Sequence, residues 1–267
     1  MSDLPTIVSF WHGPMSWLEA LSIASFRRQG HRVEVYSYDP IPGLPEGAIA
    51  RDAADVLPRD KLVFYKGRGT PGVFSDYFRM VALRQSRGVY ADLDVYCVRP
   101  IQGPPDYHMA YERPGSVNGA VLYMKPDAPL LDDLLSIFTQ TERPIIEPHL
   151  PPVRRLEVAV RRLFGEKIAP EHMQYGATGP MALTYYVQRR GLTAQVLPST
   201  ALYPIPYEGI PALMQPGSSV DAAIKPDTLA IHLWRSQLTN RGRADMPLPP
   251  PGSAMAELCS REGITPG

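Results

Sequence analysis

Residues Gly88–Pro100 read "GVYADLDVYCVRP". Valine, tyrosine and leucine favour a β-strand, yet Asp92 and Asp94 stand among them. Aspartate is disfavoured in strands, and a buried carboxylate is costly unless something pairs with it. In a continuous strand, alternate side chains share a face, so Asp92 and Asp94 are expected to project together with Leu93 turned away. Two like charges about 6–7 Å apart raise each other's pKa unless a cation lies beside them. Hard oxygen ligands suit Mn²⁺ or Mg²⁺, which take one or two carboxylates and fill the remaining positions with water and substrate phosphates. A D-x-D tripeptide also occurs on solvated strands, so the residues alone allow either a metal-bearing pair or two solvated acids. The apolar flanks favour a central strand. The pair lies toward its C-terminal end, where open α/β sheets bind ligands.

Upstream, "PTIVSFW" has the composition of a short strand, and "SWLEALSIASFRRQG" spaces Leu18, Leu21, Ala24 and Phe26 as a helix, with Ser16 as N-cap and Gly30 as stop. "HRVEVYSY" alternates as a strand, completing the strand–helix–strand unit of a parallel α/β sheet. "KLVFYK" is predicted as a further strand. "VFSDYFRMVALRQSRG" is predicted as an amphipathic helix, with Phe74, Tyr77, Phe78 and Val81 on one side and Gly88 at its end. Downstream, "HMAYER" and "NGAVLYMK" read as adjacent strands, and "TAQVLP" and "TLAIHLW" as late ones. "PLLDDLLSIFTQ", "VRRLEVAVRRLF" and "GPMALTYYVQRRG" read as helices, the last with Pro180 in its first turn. The fold class is α/β with a mixed central sheet flanked by helices.

At 267 residues and 44% hydrophobic, the chain can bury a sizeable core and is read most simply as one domain. Its 27 basic and 27 acidic residues give no global field that favours nucleic acid. Cys97 and Cys259 are too few and too far apart for a disulfide or zinc framework. There is no basic leader before an apolar run, and no apolar stretch approaches the ~20 residues that span a bilayer. A cytoplasmic protein is therefore expected, at most peripheral at the inner membrane face. Thirty prolines, well above the usual share of about 5%, cluster in runs such as "YDPIPGLPEG" and "DMPLPPPG", which are read as loops.

The extended pattern is more specific than the tripeptide. "FSDYFRMVALRQSRGVYADLDVYCVRPI" resembles the D-x-D sugar-transferase family with a sugar-binding region, in which a helical S-D-x-x-R leads through a glycine into Y-x-D-x-D. That family includes lipopolysaccharide and capsule glycosyltransferases, α1,4-galactosyltransferases, yeast mannosyltransferases and the catalytic domains of large clostridial toxins. The matching positions are Ser75, Asp76, Arg79, Gly88, Tyr90, Asp92 and Asp94; Arg87 departs from the usual paired glycine. "TIVSFWHGP", "SVNGAVLYMKPDAPLL", "ATGPMALT" and "AIHLWRSQ" are similar to other family segments and follow in the right order.

The resemblance implies a GT-A fold, a Rossmann-like sheet that binds a nucleotide-diphosphate sugar through Mn²⁺ or Mg²⁺. It implies metal binding by Asp92 and Asp94, with His232 completing the shell or standing as a satisfied core histidine. It implies donor contacts from Asp76 and Arg79, which by spacing alone are equally a surface ion pair. Trp11 is either a base-stacking platform or a core tryptophan, and Tyr90 either reaches a phosphate or fills the core. Asn118 either orients the donor sugar or closes a turn. Thr178, Gly179, Trp234 and Arg235 are assigned to the acceptor side or a lid. Arg241 and Arg243 join Arg235 in that lid or lie in a solvated tail. Residues 1–235 are expected to be the catalytic domain, with nucleotide and metal in about 1–100 and donor sugar and acceptor in 101–235. Residues 236–267 are expected to be an irregular Pro/Arg-rich tail. The expected activity moves a hexose from a UDP-sugar, or GDP-mannose, to a glycan or lipid-linked acceptor with retention, in bacterial surface polysaccharide synthesis. A sugar-nucleotide binder without activity and a D-x-D phosphatase are the alternatives. The basic run "VRRLEVAVRRLF" is either a solvated face or a contact for an acidic acceptor or membrane surface.

Overall fold

The structure, a computed structural model, describes residues 4–65, 69–103, 106–139, 149–166, 169–240 and 245–267. The chain opens as strand, helix, strand: β1 (Ile7–Phe10), α1 (Trp17–Arg28) and β2 (Val33–Ser37). Ser16 starts α1 by accepting from the Leu18 N–H, while Glu19 accepts from the Ser16 N–H at 2.7 Å. This reciprocal capping box is worth about 1 kcal/mol, and it fixes the angle at which the chain leaves β1.

β3 (Ile49–Asp52) follows the Pro/Gly run of residues 38–47, where the sequence predicts no strand. The strand predicted at "KLVFYK" does not form. Arg59–Lys61 is a 3-10 turn, Leu62–Tyr65 has no strand pairing, and Lys66 lies outside the described residues. Leu62 and Val63 pack on the core from a loop, which accounts for their apolar character. Then follow α2 (Gly72–Arg84), β4 (Val89–Ala91), β5 (Val95–Cys97), β6 (Tyr107–Arg113) and β7 (Ser116–Met124). Next come α3 (Pro129–Thr139), α4 (Pro152–Leu163), α5 (Pro180–Arg189) and α6 (Ser199–Leu202). The predicted strand "TAQVLP" is a 3-10 turn over Thr193–Gln195, followed by a single bridge between Leu197 and Ala110. β8 (Ala230–His232), α7 (Arg235–Leu238) and α8 (Ala254–Arg261) complete the described elements.

The main sheet has six strands in the order β3-β2-β1-β4-β7-β6. β3, β2, β1 and β4 are parallel, whereas β7 runs antiparallel to β4 and β6 to β7. This is the mixed α/β sheet that the sequence predicts. Strand alternation divides its core. Val8, Phe10, Tyr36, Tyr90 and Leu122 face α2, α3 and α5, while Ile7, Val33, Val35, Val89 and Val121 face α1. β5 and β8 form a separate two-stranded antiparallel sheet.

The irregular tail expected beyond Arg235 is helical in two places. Met255, Leu258 and Cys259 of α8 are buried against Trp17, Leu18 and Leu21 of α1 and Ile231 of β8, so this segment belongs to the core. Arg241 and Arg243, expected in a lid or a solvated tail, lie outside the described residues.

Gly88 sets the join between α2 and β4. Its φ of +144° suits glycine alone, and a Cβ there would sit 2.2 Å from the Thr6 carbonyl oxygen, which accepts the Val89 N–H. Gly88→Ala is expected to lower the unfolding free energy by about 2 kcal/mol or more in urea denaturation. An unchanged midpoint would refute the packing described.

Candidate functional site

Gly88–Pro100 is not one strand. β4 ends at Ala91, β5 begins at Val95, and Leu93 and Asp94 form a turn between them. The two acids therefore converge because the chain turns. Leu93 is buried in the core as the pin of this turn, while the Asp92 and Asp94 side chains keep 29% and 17% of their surface open. Sheet geometry supplies the third group. Val95 pairs with His232 across β5 and β8, and the Asp94 carbonyl accepts from the Leu233 N–H at 2.7 Å. His232 Nε2 consequently lies 3.1 Å from Asp94 Oδ1. One ligand atom from each of Asp92, Asp94 and His232 lies within 4.8 Å of the others.

Trp234 follows with φ +47° and ψ +70°, a left-handed conformation that costs a non-glycine residue about 1–3 kcal/mol and collects at functional sites. This turn presents the Arg235 N–H to Asp94 Oδ2 at 2.8 Å. The cluster stands just past the C-terminal end of β4, next to β1, where the strand order reverses direction. That is the switch point at which open α/β sheets hold ligands.

Behind Asp92 is a buried charged pair carried by α2. Arg79 donates from Nη1 to the Gly119 carbonyl at 2.6 Å and from Nη2 to Asp92 Oδ1 at 3.0 Å. Nη2 also lies 3.8 Å from Asp76 Oδ1, and the guanidinium sits 4.5 Å from the Tyr90 ring centroid. Thr178 donates to Asp76 Oδ2 at 2.7 Å, and Tyr65 joins that hydroxyl at 3.1 Å. Two glycines make the room. A Cβ on Gly119 would lie 2.7 Å from Arg79 Nη1, and one on Gly179 would lie 2.7 Å from Asp76 Oδ1. Thr178 and Gly179, expected on the acceptor side or a lid, are thus buried and hold Asp76. The Tyr90 hydroxyl, expected to reach a phosphate or fill the core, is buried and pairs with Ser75 Oγ at 2.9 Å.

Burial raises the pKa of Asp92, against the opposing pull of Arg79, to about 6, with the Asp94 charge adding to the rise. Burial also acts to raise Asp94, but His232 and the Arg235 N–H outweigh it and hold Asp94 below the usual carboxylate range. Burial opposes the charge on Arg79, yet Asp92, Tyr90 and Asp76 raise its pKa overall. Burial raises Asp76 too, with Arg79 and Thr178 opposing. Two carboxylates and an imidazole, one acid strained by proximity to the other, form a donor set suited to a divalent cation such as Mn²⁺. The buried His232 Nδ1 has no hydrogen-bond partner among the described residues.

Trp11 is half-buried at the end of β1, and the Arg235 guanidinium lies 5.6 Å from its ring centroid. The same Arg235 donates to Glu19 Oε1 at 2.6 Å, so the cap of α1 is tied to the candidate site. Trp234 packs against His232 with ring centroids 3.9 Å apart. Asn118 is buried on β7. It donates to Glu112 at 2.7 Å, while its Oδ1 accepts from the Ala120 N–H. Glu112, Glu19, Tyr65, Gly119 and Tyr203 escaped the sequence reading. Only Glu19 carried a local signal, the S-x-x-E spacing from Ser16. Tyr203 packs edge-on against His232 at 5.8 Å and is buried beside Asp92.

No described helix is long and apolar enough to cross a membrane. No family model matches the chain, and no curated protein matches it. Among solved structures, one titled "PaToxG Glycosyltransferase" is similar at 14% identity with a TM-score of 0.44, covering 72% of this chain and 73% of that one. A likeness that distant does not bear on activity.

Because Asp92 titrates near 6 and must be deprotonated to bind a cation, protons compete below that pH. Calorimetric titration of Mn²⁺ is expected to show affinity falling by about tenfold per pH unit below 6 and levelling above 7. Asp94→Asn is expected to weaken binding at every pH. Affinity that is flat from pH 5 to 8 would remove Asp92 from the ligand set.

Proposed function

We propose that the chain is a metal-dependent glycosyltransferase of GT-A type, moving a hexose from a UDP-sugar to a hydroxyl of a glycan or glycolipid acceptor with retention. The intended setting is assembly of a bacterial surface polysaccharide. The observation that carries the reading is the meeting of Asp92, Asp94 and His232 at the sheet's switch point, backed by the buried Asp76–Arg79 pair. Those three side chains would hold a divalent cation, which would supply positive charge against the departing nucleoside diphosphate.

The remaining roles belong to the chain itself. Arg79 fixes the orientation of Asp92 through a charge-assisted hydrogen bond and keeps a second positive charge beside the donor. Asp76 accepts from donor-sugar hydroxyls through the oxygen that Thr178 does not hold. Trp11 stacks on the nucleobase, and Arg235, near its ring, meets the diphosphate. Asn118, oriented by Glu112, contacts the donor sugar. In the transfer, the bond from the anomeric carbon to the diphosphate oxygen breaks and a bond to the acceptor oxygen forms. The acceptor's proton leaves on the released diphosphate.

A phosphatase of the D-x-D kind carries its acids on the first strand, whereas here they follow the fourth, β4. Incubation with UDP-hexoses and Mn²⁺ is expected to release UDP, and chelation to stop it. Asp94→Asn is expected to lower release by about 10²-fold or more. Wild-type rates in that variant would overturn the reading. Tight UDP binding without release would favour the inactive binder, and inorganic phosphate from a sugar phosphate would favour the phosphatase.

A further inference from the structure

α4 is an amphipathic helix mounted inside out. Among its residues only Val158 is buried, where it joins Leu150, Met173 and Ala177 in a small cluster. The stripe with helical spacing, Val153, Leu156, Val160 and Leu163, extended by Phe164, faces outward. Leu163 and Phe164 are 85% and 83% exposed, Val153 77% and Leu156 66%. Single exposed apolar residues are ordinary, but five on one helical face are not.

Charge indicates what covers this face. The helix and its C-terminal turn carry Arg154, Arg155, Arg161 and Arg162 against Glu157 and Glu166. Arg154 and Arg161 pair with those glutamates. Arg155 pairs with no carboxylate among the described residues. An apolar stripe beside excess arginine fits the boundary of a bilayer with anionic headgroups, where apolar side chains enter the acyl region and arginines stay at the phosphates. A protein partner or a second copy would also bury the stripe but gives no reason for a helix and C-terminal turn with twice as many arginines as glutamates, or for the unpaired Arg155.

We infer that α4 docks the protein onto an anionic lipid surface through Val153, Leu156, Val160, Leu163 and Phe164, with Arg155 at the headgroups. The anchor of this helix ends at Ala177, and the next residue, Thr178, holds Asp76. Docking therefore brings the candidate site close to the lipid. The inference stands apart from glycosyl transfer, since none of these side chains belongs to that site.

The test is co-sedimentation with vesicles of phosphatidylcholine alone and of phosphatidylcholine mixed with phosphatidylglycerol. The protein is expected to pellet with the mixed vesicles only. Leu156→Ser with Leu163→Ser should weaken partition by about tenfold or more, and Arg155→Ala by about fivefold. Because these side chains are exposed, the melting temperature and UDP release in solution should not change. Absence of binding, equal binding to both vesicles, or full binding by the leucine variant would overturn the inference. So would a dimer in sedimentation velocity that the leucine variant abolishes, which would make a second copy the occupant.

Discussion

The guanidinium of Arg79 is buried, and a buried charge has to be met by acceptors on its own scale. Three elements meet it: Asp76 from its own helix, Asp92 after β4 and the Gly119 carbonyl on β7. The Tyr90 ring covers one face of the group. Removing one partner from a buried pair of this kind costs about 3–5 kcal/mol, because the other charge stays behind unmatched. The neighbouring glycines follow from the same demand. Neither Gly119 nor Gly179 can carry a side chain while Arg79 and Asp76 keep their positions. Arg79 Nε remains buried without a hydrogen-bond partner among the described residues.

A second constraint acts on the opposite side of Asp92. The small β5–β8 sheet brings His232 against Asp94, and the left-handed Trp234 then delivers the Arg235 N–H to the same carboxylate. Arg235 reaches back to Glu19, whose pKa burial raises although Arg235 opposes the rise. The N-terminal helix, the central turn and the C-terminal strand are thereby coupled through charges around one point. Strain at Trp234 and the raised pKa of Asp92 are both unfavourable in themselves, and a cation held by the acids would relieve the second.

The features legible in the sequence were those with local patterns. "SDYFR" and "ADLD" lie within one helix and one turn, and the family resemblance they carry, not their spacing alone, marks Asp76, Arg79, Asp92 and Asp94. His232 is marked only by the resemblance of "AIHLWRSQ", since an imidazole in an apolar run is otherwise read as a core histidine. The aspartates were misread as strand residues because valine and tyrosine on both sides outweigh them in any propensity count, whereas Leu93 makes the break by burying itself. β3 was missed because three of its four residues, Ala50, Arg51 and Asp52, are exposed at the sheet edge and show no alternation. α8 was missed because the proline run before it dominates the segment, although Ser253 caps it by accepting from the Ala256 N–H. Glu112, Tyr203 and Tyr65 reach the site only through tertiary packing, which no local window contains. The inverted polarity of α4 was equally out of reach, since a helical stripe of leucine and valine reads as a core face until its burial is known.

The central claim is that Asp92, Asp94 and His232 hold a cation on which a nucleoside diphosphate binds. Thermal unfolding with UDP, GDP, ADP and CDP, each with and without Mn²⁺, measures this most directly, because a ligand raises the melting temperature according to its affinity for the folded state. One diphosphate, UDP by this account, should stabilise the wild type strongly with Mn²⁺ and weakly without it, and Asp94→Asn should lose the difference. Stabilisation by no nucleotide, or by UDP equally in the absence of Mn²⁺ and in the variant, would contradict the account.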